Sequence, residues 1–480
     1  MLAAAAVPLL AGAWNPNLWF DECYTVGLLR RPFPEMVRAA AADVHPLLYY
    51  LMLRGWAALF GESLVALRLF SALPVLLLAL CGGRTVEQEF GRRTGRYFAL
   101  ITLLLPAVMR YGTQLRMYSW AMLFVGVAAL AAWRAHRRGK PRDFAALAAF
   151  ALLAGYTHYF ALLAVGVIEL LLLLSLRRGR RGLRAFLLAA AAQVILYLPG
   201  LVLFLGQAMQ VAQGYWITIS YPQVLFESLA VFFWDGANTG RFLLRAGLGV
   251  LAGAGTLVLA LRRRGAARRA LLVIGLVLAA ALLVSVVRPI YISRYLLPMA
   301  GLVSFALARG LAAVKRRELR AAALCVIALL GFGSAVYLRA VEQDPQNGEV
   351  ERTLRALTGE EDIILSSSLR PSGQLSLMLP DRRQFFYHPE DWNMTYYAAF
   401  EPQTRCITSL DEIRQERVCV VDDPGSDLAS ELTGRGYLRI KRCEVYHPYS
   451  GETFVISILE KIEYTNTAIG GTGRVSDIGL

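Results

Sequence analysis

Apolar stretches recur from the first residue to about Arg339, separated by short polar connections. Most are long enough for an α-helix to cross a hydrocarbon core of about 30 Å, which takes roughly 17–25 residues. Basic residues punctuate them in five clusters, Arg84 to Arg96, Arg134 to Arg142, Arg177 to Arg184, Arg262 to Arg269 and Lys315 to Arg320. Between these lie less basic connections around Arg110–Arg116, Tyr156–His158, Gly206–Gly240 and Arg288–Arg294. Because Lys and Arg accumulate on the cytoplasmic side, the alternation predicts about eleven spans with the basic clusters inside. Residues 14–62 and everything after Arg339 then face outward.

The run from Phe144 to Leu176 must cross and return within 33 residues. At 1.5 Å rise per residue each leg reaches roughly 25 Å, short of a full span. Its turn, Gly155-Tyr-Thr-His-Tyr159, is therefore expected inside the protein body, leaving His158 a buried polar group in need of a partner. The loop 14–62 contains an amphipathic piece, Phe33 to Ala42, and an aromatic-rich piece, His45 to Phe60, that reads as an interfacial helix. The next span, Ser63 to Gly83, carries Arg68, which must face protein or water rather than lipid. The stretch Gly206 to Gly240 is aromatic (Tyr215, Trp216, Tyr221, Phe232, Phe233, Trp234), as an interface belt is, or as a wall against a sugar or lipid tail would be.

Beyond Arg339 the pattern changes. Asp362 to Ser366 and Arg417 to Asp422 read as strands, Asp427 to Leu432 as a helix, and Tyr437 to Val445 and Thr453 to Leu459 as paired strands. The expected organisation is an all-α polytopic membrane domain over 1–341, a small extracytoplasmic α/β domain over 342–462, and a polar, disordered tail over 463–480.

Composition agrees. The 480 residues are 56% hydrophobic, which excludes an ordinary soluble domain. The net charge of +15 sits between apolar runs, as in a multi-pass plasma-membrane protein, and gives no support to nucleic-acid binding. Six cysteines form no CxxC pair; three lie in the C-terminal part, where one disulfide is open. The first apolar run lacks a basic n-region and reads as a first span. No Gly-Lys-Ser/Thr phosphate loop occurs, so ATP-driven transport by this chain is not expected.

The polar residues on the outer side suggest chemistry. Asp21 and Glu22, side by side at a membrane boundary, are costly to desolvate and so candidates for a site. Asp43 and His45 share their loop; Gln114, Arg116 and Tyr118 stand at the second outer connection, His158 at the third, and Arg288, Arg294 and Tyr295 at the last. Carboxylates facing guanidinium groups suit transfer to a hydroxyl: one takes the proton while the others hold a phosphate leaving group. The competing reading is a transporter or flippase of lipid-linked sugars, which would place polar groups at mid-membrane depth.

The order Phe-Asp-Glu-Cys-Tyr24, Asp-Val-His-Pro-Leu-Leu-Tyr-Tyr50, Ala-Leu-Arg-Leu-Phe-Ser-Ala72, Arg-Tyr-Gly-Thr-Gln-Leu-Arg-Met-Tyr118, Tyr-Thr-His-Tyr-Phe160 and Ser-Arg-Tyr-Leu-Leu-Pro298 resembles the protein-O-mannosyltransferase-type membrane glycosyltransferases of the GT-C fold, in their bacterial branch. The resemblance covers about Trp14 to Leu311. It implies an inverting glycosyltransferase moving a hexosyl or pentosyl group from a polyprenyl-phosphate donor to a glycan, lipid or protein acceptor outside the membrane. It implies Asp21 as general base with Glu22 in support, and Arg116, Tyr118, Arg288, Arg294 and Tyr295 as contacts to the donor phosphate and lipid. His45, Tyr49, His158 and Trp216 fall to acceptor or sugar binding. Relatives often carry an acid where this chain has Gln114, and an amide is a poor ligand for a divalent cation. No cofactor is thereby required, and a partial metal site of Glu22, His45 and His158 stays open.

Overall fold

The computed structural model describes residues 2–179, 182–213, 217, 219–233, 247, 251, 255, 265–389, 397–401 and 403–462. The chain forms two compact units, the first comprising Met1–Gly348, Trp392–Pro402 and Tyr446–Glu452, the second Glu349–Asp391, Gln403–Val445 and Thr453–Leu480.

The first unit is helical. Among the described residues seven helices are long and apolar enough to cross a membrane: Leu64–Phe90, Tyr118–Arg138, Tyr159–Arg177, Leu183–Met209, Ala266–Val287, Ser293–Ala312 and Arg317–Leu357. Further helices, Leu2–Ala11, Arg92–Leu104 and Pro141–Gly155, are shorter. Most of the apolar run between 240 and 262 lies outside the described residues. Length separates the observed seven from the expected eleven: a buried helix of 13 residues is about 20 Å long and does not span by itself.

Local sequence explains several of these boundaries. Pro141 opens its helix at a position where the missing N–H costs nothing, and Gly139 in the left-handed region ends the helix before it. Pro74 interrupts the ladder of Leu64–Leu77, which continues through a π-helical turn, Leu78–Gly82. At Gly331 a Cβ would stand 2.3 Å from the Leu104 carbonyl oxygen, so helix Arg317–Glu342 packs where it does because that residue has no side chain.

Loop 14–62 folds as three helices, Phe20–Arg30, Phe33–Ala42 and Leu48–Phe60. The first is held by distant chain. Gly27 packs so closely on the Ala399 carbonyl that a Cβ would meet it at 2.3 Å, and the Phe400 ring lies 5.8 Å from Phe20 and 6.0 Å from Tyr24.

The second unit carries a six-stranded sheet of β1 Ile363–Ser366, β2 Arg383–Tyr387, β3 Thr404–Ile407, β4 Arg417–Asp422, β5 Tyr437–His447 and β6 Glu452–Lys461, in the order β3-β2-β1-β4-β6-β5. The first four are parallel and β6 runs antiparallel to β4. Helices Leu369–Met378 and Leu428–Gly434 cross over between strands. No disulfide joins the cysteines among the described residues, so the one left open by the sequence does not form here.

Candidate functional site

Asp21 and Glu22 occupy the first turn of helix Phe20–Arg30, where the unpaired N–H groups favour negative charge. Consecutive helical residues point about 100° apart, so the two carboxylates cannot share a face.

Glu22 turns inward. Its side chain is fully buried and meets the equally buried Arg68 at 2.6 Å. It also accepts from the Leu115 amide at 3.0 Å and from the Tyr449 hydroxyl at 3.0 Å. Arg68 in turn donates to the Asn15, Asn17 and Thr113 carbonyls. The Glu22–Arg68 pair thus ties down both the chain leading to Asp21 and the buried connection 112–117, whose backbone needs such partners away from water. The Tyr449 amide donates to Asn347 Oδ1 at 2.9 Å, fixing the hydroxyl that reaches Glu22.

Asp21 turns the other way and keeps 18% of its side-chain surface open. Arg294, in the 3-10 segment Ser293–Met299, places Nη2 3.4 Å from Asp21 Oδ2 and stacks its guanidinium 5.1 Å from the centre of the Trp19 ring. Arg116 Nε stands 3.9 Å from the same carboxylate oxygen, and its Nη1 donates to the Asp21 carbonyl and, at 3.3 Å, to the Tyr50 hydroxyl. That hydroxyl donates to Asp43 Oδ2 at 3.4 Å, while Asp43 Oδ1 accepts from the Val44 amide. Burial pushes the Asp43 carboxyl up to about 6, against the pull of the Arg116 charge.

Beside the guanidinium groups lies an aromatic basket. His158 is 2% exposed, stacks on His45 at 6.2 Å, and sits 5.6 Å from both the Tyr118 and Tyr295 rings. Its Nδ1 accepts from the Phe160 amide at 3.1 Å, so the neutral ring carries its hydrogen on Nε2, which is buried without a hydrogen-bond partner among the described residues. Burial first, then the Arg116 charge, hold both histidines below the ordinary imidazole range, His158 at about 3. They are neutral at physiological pH. Gln207 of helix Leu183–Gln213 braces the His45 loop by donating to the Ala41 and His45 carbonyls.

The structure therefore brings Asp21, Arg116, Arg294, Tyr118, Tyr295, His45 and His158 into one neighbourhood. Arg288 stands half-buried just past helix Ala266–Val287. Tyr49 is fully buried against Tyr50 and Phe70. Trp216 lies outside the described residues. Glu22 does not join His45 and His158: no group of three or more His, Cys, Asp or Glu side chains able to hold a metal occurs among the described residues. The sequence turned Arg68 toward protein or water rather than lipid but held no sign of its partner, and Tyr449 carried no signal at all.

Residues 44–203, 160 of 480 or a third of the chain, match the family of dolichyl-phosphate-mannose-protein mannosyltransferases. No curated protein matches the chain. Among solved structures it is similar to ArnT from Cupriavidus metallidurans in the apo state, at 15% identity over 95% of this chain and 97% of that one, with a TM-score of 0.61. Weaker likenesses are to the same protein bound to undecaprenyl phosphate, at 15% identity over 95% of this chain and 97% of that one with a TM-score of 0.43, and to the Archaeoglobus fulgidus oligosaccharyltransferase in complex with Zn and sulfate, at 13% identity over 88% of this chain and 67% of that one with a TM-score of 0.44. At such identity a TM-score of 0.61 establishes shared fold and the lower scores add nothing to it. The chain thus has the GT-C fold of membrane glycosyltransferases and, over residues 44–203, resembles the dolichyl-phosphate-mannose-protein mannosyltransferases.

Proposed function

We propose that the protein is an inverting glycosyltransferase that moves a sugar from a polyprenyl-phosphate donor to a hydroxyl acceptor on the outer side of the plasma membrane. The observation that carries this reading is the meeting of one partly open carboxylate, Asp21, with two guanidinium groups, Arg294 at 3.4 Å and Arg116 at 3.9 Å. The family match over residues 44–203 supports a lipid-phosphate donor.

In this reading the acceptor hydroxyl gives its proton to Asp21 as its oxygen attacks the anomeric carbon. The bond from that carbon to the phosphate oxygen breaks on the opposite face, and the polyprenyl phosphate leaves with the electron pair. Arg294 and Arg116 hold the phosphate as its charge grows. Tyr50 and Asp43 fix the Arg116 guanidinium, and the neutral His158 offers Nε2–H to the donor. Glu22 acts through position alone, because Arg68, Leu115 and Tyr449 occupy it. For the same reason, and because position 114 is an amide, the residues do not fit a divalent cation, and no step is assigned to one.

Continued by Gly12–Trp14 and Pro106–Tyr111, helices Leu2–Ala11 and Arg92–Leu104, together with Pro141–Gly155 and the apolar sequence between 240 and 262, would bring seven spans to eleven and leave loop 14–62 and the α/β region outside. Incubating the purified protein with a panel of polyprenyl-phosphate sugars and hydroxyl acceptors tests the proposal. Transfer with inverted anomeric configuration is the expected result; release of no sugar from any donor would remove it.

A further inference from the structure

The end of the bundle opposite Asp21 holds a second feature. Helix Tyr118–Arg138 begins beside the Asp21 site, and its Trp133 lies fifteen residues further on, roughly 22 Å along the axis. Around Trp133 is a cavity of about 110 Å³ with an almost wholly apolar wall, including Phe98, Ile168, Leu172, Val273 and Phe305. It is smaller than the ~150 Å³ hole that accepts a benzene ring, so it suits the end of one unbranched chain.

The polar groups at its edge are Arg269, His136 and the Trp133 indole N–H. Arg269 lines the cavity, lies 5.1 Å from the centre of the Trp133 ring, and has no carboxylate partner among the described residues. The Trp133 Nε1 is buried without a hydrogen-bond partner among the described residues. On the same helix Arg134, Arg137 and Arg138 all converge on one carboxylate, Glu89. Three guanidinium groups therefore share a single acid, and Arg269 has none among the described residues.

We propose that this cavity is a binding site for an anionic glycerophospholipid, distinct from the Asp21 site and independent of the reaction assigned to it. One acyl chain enters between Phe98, Ile168 and Phe305, Arg269 takes the phosphate, and the Trp133 N–H donates to a headgroup oxygen. The surplus of positive charge selects an anionic over a zwitterionic headgroup, and the narrow cavity selects a straight chain over a methyl-branched prenyl one.

Delipidated full-length protein in neutral detergent, unfolded by heat with phosphatidylglycerol, phosphatidylcholine or undecaprenyl phosphate added, tests the assignment. Each variant is compared with its own lipid-free midpoint, so a loss of intrinsic stability does not obscure the result. Phosphatidylglycerol should raise the midpoint of the wild type by several degrees and phosphatidylcholine should not. The increment should vanish in Arg269→Ala, survive in part in Arg269→Lys, and shrink in Trp133→Phe. Equal increments from both phospholipids, or an undiminished response in Arg269→Ala, overturn the proposal. A larger Arg269-dependent increment from undecaprenyl phosphate overturns the choice of a glycerophospholipid.

Discussion

The Glu22 carboxylate meets the Arg68 guanidinium at 2.6 Å with both side chains sealed from solvent, while the adjacent Asp21 faces the opposite, open side. Removing one member of a buried pair leaves the other charged and uncompensated, which costs about 3–5 kcal/mol. Glu22→Ala or Arg68→Ala should therefore lower the thermal unfolding midpoint sharply. Asp21→Asn, altering a partly exposed carboxylate, should leave it nearly unchanged. Equal midpoints for Glu22→Ala and wild type would contradict the division of roles.

Tyr449 reaches Glu22 from 427 positions away in the chain. Hydrogen bonds to a charged group contribute roughly 1.5–3 kcal/mol, and Tyr449→Phe removes one without changing the ring. The variant should unfold at lower temperature and lose turnover while keeping its donor KM, because Arg116 and Arg294 are not touched. A raised donor KM with full turnover would show that Tyr449 acts elsewhere.

Arg294 holds the open side of the site, partly desolvated between Asp21 and the Trp19 ring. Losing a charge-assisted contact of about 1.5–3 kcal/mol should raise the donor KM roughly ten- to hundredfold in Arg294→Ala. Arg294→Lys keeps the charge but not the planar fork and should fall between. Steady-state kinetics with varied donor read this directly; an unchanged KM in Arg294→Ala removes the residue from donor binding.

Asp43 sets a pH dependence. Its carboxyl is raised from an ordinary value near 3.8 to about 6 in the folded protein, mainly by burial. The folded state then binds the proton more tightly than the unfolded one. The stabilising contribution is complete below about pH 4 and is lost as pH rises through 6. Thermal midpoints measured from pH 4 to 7 should show this decline, and Asp43→Asn should flatten it. A decline of the same size in Asp43→Asn would place its origin elsewhere.

The sequence made the membrane helices legible because a span is a long, one-dimensional signal: length and hydropathy suffice. Helices Arg92–Leu104 and Pro141–Gly155 were harder, since their short apolar runs mean the same thing in a core as in a bilayer. In the α/β part, Ile363–Ser366 and Arg417–Asp422 were visible as apolar runs bounded by turn residues. The strand order was not, because parallel pairing of β1 with β2 and β4 is decided by contacts far apart in the chain. At the site, residue types indicated that Asp21, Arg116 and Arg294 suited one chemistry. They could not indicate that Glu22 has another fate: the helical phase that separates it from Asp21, and its pairing with Arg68 and Tyr449, exist only once the chain is folded.

Asp21 now occupies the guanidinium that the donor phosphate is proposed to take, so the two anions should compete for Arg294. Equilibrium binding of undecaprenyl phosphate to Asp21→Asn, measured beside sugar transfer by the same preparation, tests that claim most directly. Tighter binding than wild type is expected, with transfer reduced by roughly 10²–10⁴-fold, the range for loss of a general base. Binding unchanged or weakened, or transfer retained, would contradict it.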